Sequence, residues 1–310
     1  MAEPILPVTG TQFDIAAGDY QATITQLGAG LRALTYLGKP VIFGYEADHV
    51  PPAGSGQLLT PWPNRVDRGR YTFEGTGYQL DLSEPALGNA IHGLTRFATW
   101  DLVARDDDQV ELGLRLLGRP GYPFCLELRA RYQLDADSGL EVTVTARNAG
   151  ASPAPYGLGQ HPYLQAGADL VDHWHLQVPA THWQPADDRG IPDGPPQPVD
   201  GSPYDFRERR PIGTISLDHA FTGLLADADG RVRVRLTGPA TEVELWAGRG
   251  YRWLQVFTGD PLGPDMRRHA LAVEPMTCPP NALVTGTDLI TLEPGKAATR
   301  SWGIRAIAFM

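Results

Sequence analysis

The chain has 310 residues, of which 36 are Asp or Glu and 26 are Lys or Arg, so its formal net charge is −10. This charge argues against nucleic acid and anionic membrane surfaces as main partners, because neither attracts an acidic protein. Hydrophobic residues make up 42% and charged residues 20% of the chain, which is typical of a globular protein with a sizeable core. The 35 glycines and 28 prolines leave little room for long helices, so we expect frequent turns.

Short β-strands are predicted along the whole chain. Apolar residues take every second place in residues 140–147 and again in 231–237, which puts them on one face of a strand. The second stretch has an outer face rich in arginine, which we interpret as a solvated sheet face and not as a nucleic-acid surface. The other predicted strands are 11–16, 22–27, 31–36, 109–116, 126–134, 242–246, 253–258, 271–273 and 301–309.

Strands of this length between turn signals favour an antiparallel all-β protein, a large β-sandwich. No repeat of about 40 to 50 residues is visible, which argues against a propeller. A short helix is predicted around 264–269. Residues 184–210 are dense in Pro, Gly and Asp, but Ile191, Tyr204 and Phe206 could anchor them. We therefore expect an ordered loop there, and one domain over residues 1–310.

The first residues and the apolar windows of the chain bear on its expected localisation. The first ten residues have no basic region and no long apolar region, and no window holds 18 consecutive apolar residues. A cytoplasmic protein is expected. Cys125 and Cys278 show no zinc-ligand spacing, so we interpret them as reduced thiols.

Several scattered side chains could carry chemistry. His92 lies between apolar residues and a glycine, and His161 lies between glycines and a proline. Each is a candidate catalytic residue, although a structural histidine is the commoner case. Glu274 follows an apolar strand, where a carboxylate either caps the structure or has a function, and Asp218 is a weaker case of the same kind.

Two further pairs of residues suggest ligands. Asn64 and Arg65 offer an amide and a bidentate donor beside an aromatic residue, as sugar recognition often uses. His173 and His175 would share one strand face, as some metal sites require, but no third ligand stands at useful spacing. No metal site is therefore expected.

The motifs taken together are more specific than any one of them. They are Pro63-Asn64-Arg65-Val66, His92-Gly93, Gly159-Gln160-His161-Pro162-Tyr163, Asp187-Asp188-Arg189-Gly190-Ile191-Pro192-Asp193-Gly194, Tyr204-Asp205-Phe206, Leu217-Asp218-His219-Ala220-Phe221, Leu254-Gln255-Val256-Phe257-Thr258-Gly259, Val273-Glu274-Pro275 and Pro280-Asn281-Ala282. In this order they resemble the aldose 1-epimerase, or galactose mutarotase-like, family over nearly the whole chain.

The resemblance implies a single large antiparallel sandwich, the supersandwich, with a sugar cleft on one face. It implies an isomerase that interconverts the α and β anomers of a free aldose without any cofactor, and it leaves the oligomeric state open. By the family pattern Glu274 would be the general base, His161 the general acid and His92 the second histidine near the ring oxygen. Substrate-binding positions would be Arg65 and Asp218, with Asn64 and Gln255 lining the cleft.

Mutarotation accounts for these residue types. The anomeric hydroxyl must lose a proton and the ring oxygen must gain one, so that the bond between C1 and the ring oxygen opens to an aldehyde. We expect a base and an acid on opposite sides of the sugar. An ionised glutamate and a protonated histidine could coexist near neutral pH, because each favours the charged form of the other.

The substrate is less well predicted. Galactose-specific members typically have an Asn-His-Ser-Tyr-Phe type of sequence where this chain has Gln160-His161-Pro162-Tyr163. Arg96, four residues after His92, resembles the arrangement of the hexose 6-phosphate epimerase branch. The His-Pro form is also similar to that of members linked to sulfonated sugars, for which Arg65 and Arg96 could hold the anion. An anionic hexose is therefore the alternative to a neutral one.

Two other functions compete with mutarotation. A glycoside hydrolase could use Asp218 and Glu274 as its carboxylate pair, but the motif histidines would then have no role. A catalytically silent sugar-binding protein could use the same fold, but it would not need a matched acid and base. Hydrolysis of a chromogenic glycoside, or binding without anomer exchange, would distinguish these readings.

Overall fold

The computed structural model describes residues 6–239 and 241–308, which fold almost entirely into β-strands. In chain order the strands are β1 (Gln12–Ala17), β2 (Tyr20–Thr25), β3 (Leu31–Tyr36), β4 (Lys39–Pro40), β5 (Leu58–Leu59), β6 (Arg65–Asp67), β7 (Arg70–Phe73), β8 (Thr76–Gln79), β9 (Asn89–Ile91), β10 (Asp101–Arg105), β11 (Gln109–Leu116), β12 (Leu126–Asp135), β13 (Gly139–Asn148), β14 (Ala154–Tyr156), β15 (Gly159–Gln160), β16 (Tyr163–Leu164), β17 (His175–Gln177), β18 (Ala180–Gln184), β19 (Gln197–Pro198), β20 (Arg210–Pro211), β21 (Asp218–Leu224), β22 (Val232–Thr237), β23 (Thr241–Ala247), β24 (Trp253–Phe257), β25 (Leu271–Met276), β26 (Ile290–Leu292) and β27 (Ala297–Ala308). A four-residue helix, α1 (Ala282–Thr285), and the short 3-10 turns Pro52–Gly54 and Val171–His173 complete the secondary structure of the described part.

Two large antiparallel sheets dominate the architecture. One has nine strands in the order β10-β11-β12-β13-β27-β23-β22-β17-β20, and the other has eight, β19-β18-β21-β24-β25-β15-β5 with β16 beside β25. Strands β1 to β4 form a smaller sheet of their own. The predicted all-β antiparallel sandwich is confirmed.

One continuous apolar core lies between the sheets. It joins residues of the nine-stranded sheet, such as Val142 and Ile304, to residues of the eight-stranded sheet, such as Leu254 and Val273. The alternation of buried and exposed residues along β12 and β13 gives each strand one core face and one solvent face. All six residues of β25 are buried, so its second face is covered as well. That second face carries Glu274. The assignment of residues 1–310 to a single domain stays a prediction.

Most predicted strands lie within two residues of the observed ones, and 31–36 and 109–116 coincide with β3 and β11. The predicted strand 301–309 begins earlier, at residue 297, and residue 309 lies outside the described part. The predicted helix at 264–269 is wrong. Turns form there, because Arg268 takes a left-handed backbone (φ 59) and its guanidinium is held by Asp172 and Asp260. The loop at 184–210 is irregular apart from β19, with Ile191 and Phe206 buried.

Among the described residues, no helix has the length and apolar character needed to span a bilayer.

Candidate active site

His161 occupies a break in the eight-stranded sheet directly opposite Glu274. Gly159 of β15 pairs with Met276 and Tyr163 of β16 pairs with Ala272, so His161 faces Glu274 midway between the two pairs. Pro162 has no N–H to continue the ladder. On the other side of the strand, the N–H of His161 donates to the carbonyl of Gln57 (3.1 Å), in register with the pairing of β15 and β5. The His-Pro sequence thus opens the strand at the point where the two functional side chains meet.

The two side chains form a buried pair. His161 Nε2 lies 3.2 Å from Glu274 Oε1, with side-chain exposures of 6% and 2%. Burial raises the pKa of Glu274 well above its usual range, and the nearby Asp218 adds to the effect. Burial, helped by Arg96 and Arg65, lowers the pKa of His161 to about 3. Desolvation thus favours the uncharged form of each partner in the free protein, whereas the sequence predicted a carboxylate with an imidazolium.

The placement of the pair also corrects the expected geometry. Base and acid are adjacent and do not stand on opposite sides of a cleft. An adjacent base and acid suit mutarotation, because the anomeric hydroxyl and the ring oxygen are both bonded to C1 and lie close together. The other carboxylate oxygen, Glu274 Oε2, and the other ring nitrogen, His161 Nδ1, are buried and have no partner among the described residues.

His92 follows β9, which pairs with β6, and its ring lies 5.4 Å from that of His161 between centroids. It has a left-handed backbone (φ 61), which is uncommon for a residue with a side chain. The backbone N–H of Asn64 donates to His92 Nδ1 (3.2 Å), so the neutral ring carries its proton on Nε2. Burial lowers the pKa of His92 well below its usual value, and the neighbouring His161, Arg96 and Arg65 add to the effect. His92 is therefore a neutral hydrogen-bond donor.

Arg65 is held by a carboxylate that the sequence did not point to. Its Nε and Nη2 donate to Glu84 at 2.9 and 3.0 Å, in a bidentate pair. Burial opposes the charge of Arg65, but the bonds and charge of Glu84 outweigh it and raise the pKa of the guanidinium. Glu84 also accepts from the amide of Asn89 (3.1 Å). Its only sequence signal is a carboxylate before a proline, 19 residues from its partner.

Asn64 and Gln255 are each hydrogen-bonded to another residue of the site. Asn64 Oδ1 accepts from the N–H of Arg65 (2.8 Å) and Asn64 also lines the cleft. Gln255 is paired with Glu274 in the sheet and donates to Asp218 Oδ1 (2.6 Å), but it does not line the cleft. Gln255 therefore lies buried behind Asp218 and not at the predicted cleft-lining position, and its Oε1 has no partner among the described residues.

Arg96 lies in the cleft wall without a carboxylate in ion-pairing distance among the described residues. Its one side-chain hydrogen bond there is from Nη2 to the carbonyl of Ile91 (3.3 Å). Burial lowers the pKa of Arg96 and Glu84 partly opposes this. Arg96 is thus a half-buried cation whose charge is poorly compensated, in contrast to Arg65.

These side chains surround one cleft of about 380 Å³. Seven of the eight predicted site residues line it, all but Gln255. The opposite wall is apolar, with Phe257, Pro261 and Leu262. Tyr163, for which the sequence predicts no separate role, stacks under the His161 ring at 4.9 Å between centroids. A larger open groove of about 1060 Å³ lies beside β1, but no histidine or glutamate lines it.

The residue types of this cleft could hold a metal, but their hydrogen bonds fit one poorly. Donor atoms of His92, His161 and Glu274 lie within 4.8 Å of one another. A histidine ligand needs a free lone pair, and Nδ1 of His92 is engaged by Asn64 while Nε2 carries the proton. The His173 and His175 pair does not share a strand face, because His173 ends a 3-10 turn and only His175 lies in β17.

The comparisons with known proteins agree with this architecture. The model of the family described as aldose 1-epimerase matches residues 11–304. "Uncharacterized protein YihR" of Escherichia coli K12 is 36% identical over 288 residues, covering 93% of this chain and 91% of the relative. The aldose 1-epimerase of the same organism is 28% identical over 226 residues, 67% of this chain and 64% of the relative.

Solved structures show the same fold. A GalM/aldose epimerase homologue from C. elegans superposes with a TM-score of 0.87 at 18% identity, covering 97% of this chain and 99% of that one. A putative aldose 1-epimerase from Escherichia coli K12 gives 0.84 at 21% identity, with 96% and 99% covered. The matching family model, the long alignment and the shared fold lead to one conclusion: the chain belongs to the aldose 1-epimerase family.

Proposed function

We propose that the protein is an aldose 1-epimerase, an isomerase that interconverts the α and β anomers of a free aldohexose. The observation that carries the proposal is the buried pair of His161 Nε2 and Glu274 Oε1, 3.2 Å apart on the floor of the cleft. Mutarotation moves one proton onto the sugar and one off it, with no net change. A histidine and a glutamate that share one proton can give one proton to the sugar and accept one from it.

In this mechanism Glu274 accepts the proton of the anomeric hydroxyl, and His161 donates a proton to the ring oxygen as the bond from C1 breaks. The open aldehyde turns about the C1–C2 bond, and reclosure reverses both transfers. Transfer of the shared proton from Glu274 to His161, across the 3.2 Å between them, would convert the uncharged pair into the carboxylate and imidazolium that this step uses. The raised pKa of Glu274 makes that carboxylate a stronger base than an exposed glutamate. His92 would donate its Nε2 proton in a hydrogen bond to the sugar, as a neutral group.

Binding would involve the groups around the pair. Asp218 accepts from Gln255 at one oxygen and keeps the other for a sugar hydroxyl. Arg65, fixed by Glu84, would orient the ring from the other side. None of these roles requires a metal or an organic cofactor.

The test follows the optical rotation of freshly dissolved α-D-glucose and α-D-galactose with and without protein. We expect the approach to equilibrium to be accelerated in proportion to protein concentration. Binding of sugar without acceleration would support a silent sugar-binding protein, and release from a chromogenic glycoside would support a hydrolase. Either result, without anomer exchange on any hexose, would contradict the proposal.

An anionic hexose is the second candidate substrate, and Arg96 is the observation that favours it. A half-buried cation without a carboxylate partner in the described structure offers a place for a phosphate or sulfonate group. Arg65 is less suited, since Glu84 already neutralises it.

The two substrates can be separated with Arg96→Gln. If the substrate is anionic, we expect KM to rise at least about tenfold for hexose 6-phosphate or a 6-sulfonated glucose and to change little for glucose, since a charged hydrogen bond contributes about 1.5–3 kcal/mol. Arg129→Gln, on the outer sheet face, is the matched control. Equal losses on neutral and anionic sugars would rule out a role for Arg96 in anion recognition.

A further inference from the structure

Gln160 precedes His161 in the chain, but its side chain points away from the cleft. Successive residues of a strand face opposite sides of the sheet, so His161 faces the cleft and Gln160 enters the core. Gln160 is 1% exposed. A buried amide is unfavourable unless its donors and acceptor are satisfied, so its hydrogen bonds show what it does there.

All of these bonds lead to elements outside its own strand. Gln160 Oε1 accepts from the indole N–H of Trp302 (3.0 Å), and Nε2 donates to the hydroxyl of Tyr132 (2.9 Å) and to the carbonyl of Gly56 (3.0 Å). Trp302 lies on β27 and Tyr132 on β12, both in the nine-stranded sheet. We call these four residues the Gln160 bridge, because they connect the two sheets through the core.

Among the described residues the indole N–H of Trp302 is paired, as is that of Trp253 with Asp288, but three other buried indoles are not. Trp62, Trp100 and Trp174 are also buried, and each leaves its indole N–H without a partner. The core therefore tolerates unpaired indole groups elsewhere. The fully paired amide stands directly behind His161.

The bridge and His161 share the same turn. The N–H of Gly56 donates to the carbonyl of His161 (2.9 Å), while the carbonyl of Gly56 accepts from Gln160. The next residue, Gln57, accepts from the N–H of His161. Gly54 lies against the imidazole, where a Cβ atom would come within 3.1 Å of Cδ2. The ring is thus held between this turn and Tyr163.

We propose that Gln160 is a positioning residue, which fixes the His161 imidazole beside Glu274 by anchoring both its strand and the 54–57 turn to the opposite sheet. This proposal rests on the proposed function, since it acts through the acid–base pair. The pair works at 3.2 Å, and a displacement of about 1 Å can cost about 100-fold in rate.

The test uses Gln160→Met, which keeps the length of the side chain and removes all three hydrogen bonds. We expect kcat to fall about 10- to 100-fold with KM changed less than about threefold, because the cleft walls are untouched. Trp302→Phe removes one of the three bonds and should lower kcat by a smaller factor, about threefold. Trp302→Phe is also the variant that tests the proposal if Gln160→Met does not fold.

The control is Tyr20→Phe. The Tyr20 hydroxyl makes two buried hydrogen bonds to Ala306 of β27, and neither residue lines the cleft, so its loss should lower stability without lowering kcat. A second readout is Gln160→Met combined with His161→Asn. If Gln160 acts through His161, the double variant should be no slower than His161→Asn alone.

Wild-type kcat in Gln160→Met, an equal loss in Tyr20→Phe, or a full additional loss on the His161→Asn background would each overturn the positioning role while leaving the proposed function intact. If wild-type protein accelerates no anomer exchange, the proposed function itself fails and the positioning role fails with it.

Discussion

The cleft and the outer face of β22 and β23 both bring arginines and carboxylates into contact, but they treat charge in opposite ways. On the outer face Arg233 donates to Asp229 and to Glu244, and its hydrogen bonds lower the pKa of Asp229. In the cleft, burial raises the pKa of Glu274 although Arg65 opposes this. Hydrogen bonds to arginine set the direction of the pKa shift of Asp229 at the surface, whereas desolvation sets it for Glu274 and His161 in the cleft. A proton-transfer site needs the second situation.

The histidines provide the strongest test of this contrast within the cleft. We expect His161→Asn to lower kcat by about 100-fold or more, since it removes the proton donor. His92→Asn should cost less, about tenfold, because His92 is held as a neutral donor by Asn64. Initial rates of anomer exchange at saturating sugar measure both. Equal losses, or a larger loss in His92→Asn, would mean that the acid is wrongly assigned.

A substitution of Glu84 compares an ion pair of the cleft with one at the surface. Glu84→Gln leaves Arg65 half-buried without a full counter-charge, so we expect KM to rise about tenfold with a smaller change in kcat. Glu127→Gln is the matched control, because Glu127 also pairs with arginines but on the exposed sheet face. If both variants bind sugar like the wild type, Arg65 does not depend on Glu84 for its position.

The stability of Glu274→Gln tests desolvation directly. A carboxyl whose pKa is raised by folding holds its proton more tightly in the folded than in the unfolded state. Its contribution is therefore favourable at low pH and is lost as the pH rises above the unfolded value, near 4.5. We expect Glu274→Gln to melt higher than wild type at pH 8, by roughly 2 °C or more, and the gap to close at pH 4. A lower melting temperature at pH 8 would show that the ionised carboxylate stabilises the fold.

Asp229→Asn, on the outer face, should have the smallest effect. Its pair with Arg233 is solvent-accessible, so we expect a small loss of stability that shrinks at high salt, with unchanged turnover. Chemical unfolding at two salt concentrations measures this. A loss of several kcal/mol would mean that the surface pairs are as consequential as the buried ones.

The local parts of the fold could be predicted from the sequence. Strands such as β11 and β12 pair with their chain neighbours and alternate apolar and polar residues, so the pattern alone locates them. Two-residue strands such as β5 and β15 carry no such pattern, because their partners lie about 100 residues away. A helix was wrongly predicted at 264–269 for the same reason, since the Asp172 that holds Arg268 lies in a distant segment.

The candidate site divides in the same way. His161, Glu274 and Arg65 stand in motifs that can be read in order along the chain. Glu84 does not, because its role exists only once the chain folds it against Arg65. The protonation states of His161 and Glu274 could not be predicted either, since the sequence gives residue types and not the burial that shifts their pKa values.

The central claim is that Glu274 and His161 exchange protons with a bound sugar, and the most direct test is Glu274→Gln assayed for turnover and for binding in one preparation. The substitution keeps the shape of the side chain and removes the base. We expect anomer exchange to fall by about 100-fold or more while sugar affinity changes little. Turnover within tenfold of the wild type, with binding intact, would contradict the account.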